Sequence, residues 1–119
     1  MAVVGCGPRA MAEPQAQAAP TAVDIRTLQA MREVPISMYM TSWCPVCAKA
    51  HAWLEREGYR FVELNVEEDE HAAYVHRAFS PRGSVPMFDV EGTILIGFDP
   101  QLLRAVVFRA ARDRETATR

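Results

Sequence analysis

Ile36-Ser37-Met38-Tyr39-Met40 is an apolar run of strand length, and only Thr41-Ser42-Trp43 separate it from Cys44-Pro45-Val46-Cys47. Val46, Ala50, Trp53 and Leu54 then recur at helical spacing as far as Gly58, a natural helix stop. A strand therefore turns into a helix at the first cysteine. Tyr59 to Val66 alternates as a second strand. A right-handed helical crossover joins the two strands, so they must be parallel.

Past this unit, Glu68 to Phe79 has helical spacing through Ala72, Val75 and Phe79. Pro86 to Val90, the turn Glu91-Gly92 and Thr93 to Phe98 read as a hairpin. The last helix begins at Asp99-Pro100, with aspartate as N-cap and proline in the first turn, and its expected buried face is Leu102, Leu103, Val106, Val107 and Ala110. Upstream, Val23, Leu28 and Met31 suit a short helix begun near Thr21 or Asp24 and stopped by Pro35. The expected fold class is α/β: a four-stranded mixed sheet flanked by helices, in the order β-α-β-α-β-β-α with an extra N-terminal helix.

Residues 1–22 hold seven alanines, three prolines and two charged side chains, Arg9 and Glu13, and read as a disordered arm. Six of the eleven residues from Arg109 onward are charged, so the end is expected to fray into solvent. This divides the chain into an arm (1–22), one domain (23–115) and a charged tail (116–119). With 119 residues, 50% of them hydrophobic and 24% charged, a single core forms without staples, and three cysteines are too few for a disulfide-built mini-fold. A net charge of −2 without a basic stripe argues against nucleic acid, and no apolar run approaches the roughly 18 residues of a membrane span.

Cys44 and Cys47 lie at the first turn of a helix, where unpaired amides and the helix dipole stabilise a thiolate. Cys44, at the exposed end, is the expected nucleophile; Cys47, one turn deeper, is the expected resolving thiol. Pro45 costs the helix no hydrogen bond at that position and holds the turn. Other readings of the pair are a zinc site, a static disulfide or two inert thiols. Zinc lacks a second Cys-x-x-Cys or a His pair at finger spacing, since His71 and His76 lie in what reads as a solvated helix. A disulfide here would close too short a loop to stabilise much. His51, one turn past Cys47, is expected to face solvent, and Glu67-Glu68-Asp69-Glu70 suits the positive end of a helix.

From about Pro35 to Arg109 the chain resembles the glutaredoxins of the thioredoxin-fold redox family. The resemblance rests on Tyr39-Met40-Thr41-Ser42-Trp43-Cys44-Pro45-Val46-Cys47, on Gly83-Ser84-Val85-Pro86, and on Leu95-Ile96-Gly97-Phe98-Asp99 after the hairpin. It implies a thioredoxin-like sheet and a dithiol oxidoreductase that reduces protein disulfides or glutathione mixed disulfides. It also implies a cis bond before Pro86, and a Val85 backbone that pairs with a bound peptide or glutathione. The binding candidates are Thr41, Trp43, Pro45, Val46, Arg82, Ser84, Val85, Pro86, Gly97, Phe98 and Asp99, with Trp43 as the apolar lip.

The departures from the family are specific. Thr41 stands where glutaredoxins usually carry a lysine for a glutathione carboxylate, and Val46 replaces an aromatic residue. The family's Gly-Gly and Cys/Ser-Asp-Asp segment is reduced to Gly97-Phe98-Asp99-Pro100. Asp99 reads equally as helix cap and as acceptor of the glutathione ammonium, and Arg82 as a solvated residue or as a fork for a glycyl carboxylate. The ending is also similar to glutaredoxin-like electron donors of ribonucleotide reductase, served by thioredoxin reductase, and Thr-Ser-Trp-Cys is similar to mycoredoxins. An iron-sulfur carrier bridged through Cys44 is a further alternative. No tightly bound cofactor or metal is expected, with glutathione as co-substrate and disulfide-containing or glutathionylated proteins as partners of a monomer. The expected compartment is the cytoplasm. The periplasm or cell envelope is the alternative, because Val3-Val4-Gly5-Cys6 looks like the end of a lipoprotein signal.

Overall fold

The computed structural model describes residues 24–117; the Ala/Pro-rich arm with Cys6 lies outside them. Helix α1 (Ile25–Glu33) opens where the Asp24 side chain accepts the Thr27 amide at 2.9 Å, and the chain leaves it at Val34, just before Pro35. Strand β1 (Ile36–Met40) leads to helix α2 (Pro45–Glu57), which ends at Gly58 in the left-handed region, φ 76°. Strand β2 (Phe61–Asn65), helix α3 (Glu70–Phe79), strands β3 (Met87–Val90) and β4 (Thr93–Ile96), and helix α4 (Pro100–Ala117) complete the order.

The sheet runs β2-β1-β3-β4, with β1 parallel to β2 and antiparallel to β3, and β3 antiparallel to β4. This is the expected mixed sheet with its leading helix. Strand alternation divides the interior in two. Ile36, Met38, Phe88 and Val90 point into a large core shared with Met31, Trp53, Leu54, Leu103 and Val107, beneath α1, α2 and α4. Tyr39 and Met87 point the other way, into a smaller core with Ala72 under α3 and with Leu64, Val66, Val75 and Ile94 packed against it.

Several boundaries differ from those expected. Tyr59 lies outside the strand and packs back on the end of α2: its amide bonds to Leu54 carbonyl at 3.1 Å, and its ring meets Trp53 edge-on at 5.6 Å. Asp69 accepts the Ala72 amide at 2.9 Å, so α3 starts two residues later than Glu68. Strand β4 stops at Ile96 because Gly97 takes a positive φ of 89°, which sends Phe98 back against Phe88 and Trp53. Helix sidedness also departs from the apolar pattern: Phe79 is 54% exposed while His76 is 5% exposed, and Leu102 is 48% exposed while Ala111 is buried.

The charged end does not fray from Arg109. Helix α4 continues to Ala117, because Val107 and Ala111 extend its buried face and Arg114 pairs with Glu91 at the hairpin turn. Adjacent leucines test this register. Leu103→Ala should lower unfolding free energy by about 2–5 kcal/mol, whereas Leu102→Ala should stay within about 0.5 kcal/mol, measured by urea unfolding. Equal effects at the two positions would put the face of α4 in error.

Candidate active site

The first half of the site is the junction between β1 and α2. Cys44 is the N-cap of α2, in extended conformation (φ −86°, ψ 112°), and its Sγ accepts the Cys47 amide at 3.1 Å. Sulfur thus takes the place usually filled by a serine or aspartate oxygen, and negative charge on it would lie at the positive end of the helix. Pro45 occupies the first turn, where no amide donor is lost. Both cysteines are free thiols. Cys44 was expected at an exposed end, yet it is only 6% exposed, against 2% for Cys47. The difference arises because the segment before β3 stands directly over it.

That segment is the second half. Tyr39 pairs with Met87, so continuing the antiparallel register carries Pro86 to Met40 and Val85 to the loop that holds the cysteines. The Val85-Pro86 bond is cis, and the Cys44 thiol lies 4.0 Å from the Val85 carbonyl oxygen. On the other side the Gly97 amide donates to the Pro86 carbonyl at 2.8 Å, which ties Pro86 to the end of β4. Cys44, Cys47, Val85 and Pro86, taken from two distant parts of the chain, are therefore assembled at one end of the sheet.

The remaining candidates divide. Trp43 (66% exposed) and Val46 (43% exposed) form an apolar lip beside Cys44. The Trp43 indole N–H donates to the Glu67 carboxylate at 3.0 Å, a contact that the acidic run alone did not reveal. Thr41 is buried, and its hydroxyl has no hydrogen-bond partner among the described residues, so this position faces inward. Asp99 accepts the Gln101 and Leu102 amides at 3.1 and 3.2 Å, as a helix cap does, and Phe98 packs in the core. Arg82 and Ser84 sit in the exposed loop before Val85.

Two histidines are placed otherwise than the sequence implied. His51 does not simply face water: Nδ1 meets Glu63 at 2.7 Å and Nε2 meets Glu55 at 3.3 Å, with Phe61 against the ring. The Glu63 hydrogen bond raises its pKa above the ordinary value. His76, expected on a solvated helix, is buried, and its Nε2 lies 2.8 Å from the Ser84 carbonyl. The Glu63 and Ser84 contacts needed the tertiary structure, since each partner comes from another part of the chain, whereas Glu55 lies one turn along the same helix as His51.

Burial, first, and the hydrogen bond to Cys44, second, push the Cys47 thiol up to about 12, with Glu63 adding in the same direction and the Thr41 amide opposing. Cys47 is therefore protonated at neutral pH. The arrangement is one nearly covered sulfur at a helix start and one buried thiol behind it, opposite a backbone edge.

A sheet of this order with a Cys-x-x-Cys at the β1–α2 junction defines a thioredoxin-like redox protein. Within that class, residues 36–95 match the glutaredoxin family model, and the chain belongs to the glutaredoxin family. A glutaredoxin-like 8.6 kDa protein from the rubredoxin operon of Clostridium pasteurianum is 33% identical over 64 residues, which are 54% of this chain and 85% of that protein. Glutaredoxin from Archaeoglobus fulgidus has the same fold, with a TM-score of 0.54 at 22% identity over 72% of this chain and 96% of that one. Methanoredoxin from Methanosarcina acetivorans matches with a TM-score of 0.55 at 25% identity, over 62% of this chain and 84% of that one.

The raised Cys47 pKa links stability to pH. Between the ordinary value of 9.0 and about 12, the folded chain keeps a proton that the unfolded chain has lost. Stability is fully present below pH 9 and falls as pH rises through this window. Burial raises Tyr39 and Tyr59 as well, from an ordinary value of 10.0, so they add to the decline higher in the same range. Under reducing conditions, Cys47→Ala should remove the part of the decline that starts near pH 9 and leave the tyrosine part. Unchanged slopes in denaturant titrations from pH 8 to 11 would contradict the assignment.

Proposed function

We propose that the protein is a thiol-disulfide oxidoreductase that reduces disulfides in proteins, or glutathione mixed disulfides, through the Cys44–Cys47 dithiol. The observation that carries this reading is the Cys44 sulfur capping α2, 3.1 Å from the Cys47 amide, with the Val85 carbonyl 4.0 Å across from it. A thiolate at Cys44 attacks one sulfur of the substrate disulfide; an S–S bond forms between Cys44 and that sulfur, and the other substrate sulfur leaves as thiolate and takes up a proton. Cys47 then gives up its proton, and its sulfur attacks Cys44 Sγ and releases the second substrate thiol. The substrate gains two electrons and the protein holds a Cys44–Cys47 disulfide. A two-electron donor returns it to the dithiol: either two glutathione molecules, which become glutathione disulfide, or a reductase. Val85 offers main-chain groups to an extended substrate, and Trp43 and Val46 give its neighbours an apolar surface.

A second reading concerns the electron donor alone. Thr41 is turned inward and Asp99 already caps α4, so two groups that would hold glutathione are absent or engaged. These observations favour a reductase that docks on the protein surface over glutathione. A cytoplasmic monomer cycling in a reducing pool fits either donor. No helix among the described residues is long and apolar enough to cross a membrane.

Cys44→Ser should abolish turnover, while Cys47→Ser should retain a substantial part of the activity on a glutathionylated peptide, because glutathione can resolve the adduct. Equal loss in both variants would sink this division of labour. Equilibration with glutathione, read by mass spectrometry, separates the donors. A potential of about −200 to −230 mV with a Cys44 adduct supports glutathione, and one near −270 mV without an adduct supports a reductase.

A further inference from the structure

His76 is a buried titratable side chain that the proposed cycle does not use, and its surroundings are specific. It sits in the last turn of α3, 5% exposed, stacked on the Tyr39 ring at 6.5 Å between centroids and 11° between planes. Its Nε2 lies 2.8 Å from the Ser84 carbonyl oxygen. A carbonyl can only accept, so Nε2 carries the proton and donates. Ser80, 3% exposed, closes the other side: its Oγ accepts the Ser84 amide at 3.0 Å, and its own amide donates to the His76 carbonyl at 2.7 Å. Ser84 thus has both main-chain polar groups held at the C-terminal end of α3, the carbonyl by His76 and the amide by the cap residue Ser80.

We propose that His76, with Ser80, is a positioning residue for the substrate edge: it locks the peptide groups of Ser84 inward, so that Val85 alone faces Cys44 and pairs with the substrate backbone. The Ser84 carbonyl and the Val85 amide share one peptide plane, so turning that carbonyl turns the Val85 N–H with it. A rotation there displaces the Val85 groups that a bound chain must meet, while Pro86, tied to Gly97, stays in place. Tyr39 comes from the central strand, so the histidine couples the loop to the most buried part of the sheet. The inference rests on the proposed reductase activity.

The test is single-turnover reduction of a synthetic disulfide-linked, fluorophore-quenched peptide by the fully reduced protein, over a range of peptide concentrations. His76→Leu, which fills the site without a donor, should lower the second-order rate about tenfold, mostly through a higher half-saturating concentration, as expected for a lost backbone pairing. His76→Gln, whose amide N–H can still reach Ser84, should recover to within about threefold of wild type. Ser80→Ala should lower the rate in the same manner, and it serves where His76→Leu does not fold. A role confined to stability predicts lower melting temperatures with unchanged half-saturation in every folded variant, or a glutamine variant no better than leucine. Either outcome overturns the proposal. A wild-type protein that fails to reduce the peptide overturns the proposed activity itself, and the positioning role with it. A wild-type protein that reduces it while His76→Leu and Ser80→Ala match its kinetics overturns only the positioning role.

Discussion

The placement of β1 is the constraint on which the rest depends. It is hydrogen-bonded on both sides, to β2 and to β3, and buries side chains on both faces of the sheet. A strand so enclosed has a fixed end, and the chain leaving it has only Thr41, Ser42 and Trp43 before Cys44, the cap of α2. The Cys47 amide then finds the Cys44 sulfur instead of a cap oxygen. One bond starts the helix and also aims the sulfur, so helix initiation and the chemistry of the site are the same local event.

The partner half arrives by register. Pairing of Tyr39 with Met87, and of Met87 with Ile96, puts Pro86 between the end of β1 and Gly97. Val85 is left over the cysteines with no freedom to choose another neighbour. Around this frame the polar contacts belong to single side chains: Glu67 holds the Trp43 indole, and Asp69 and Asp99 cap helices α3 and α4. Two members of the acidic run near the site, Glu67 and Asp69, therefore have structural duties. Thr41 is buried, so this position places no group at the rim of the site.

Much of this was legible from residues close together in sequence. The strand-helix junction at Cys44, the caps Asp24 and Asp99, the stop at Gly58 and the hairpin at Glu91-Gly92 are all settled within a few residues of themselves. Apolar spacing also placed the four strands and their helices in the right order. It failed on the sidedness of two helices. Phe79 lost the inner face of α3 to His76, since the histidine gains Tyr39 and the Ser84 carbonyl there. Leu102 is left outside because the buried face of α4 runs through Leu103, Val107 and Ala111, one turn apart.

The sequence by itself determined a Cys-x-x-Cys at the N-terminus of a crossover helix, because capping, turn and strand preferences act through bonds between near neighbours. Only the tertiary structure decided that Cys44 is nearly covered, that Cys47 is held protonated, and that Val85 faces the sulfur from 41 residues away. Those outcomes depend on strand register and on burial. Both are set by every apolar position at once, and no single segment encodes them.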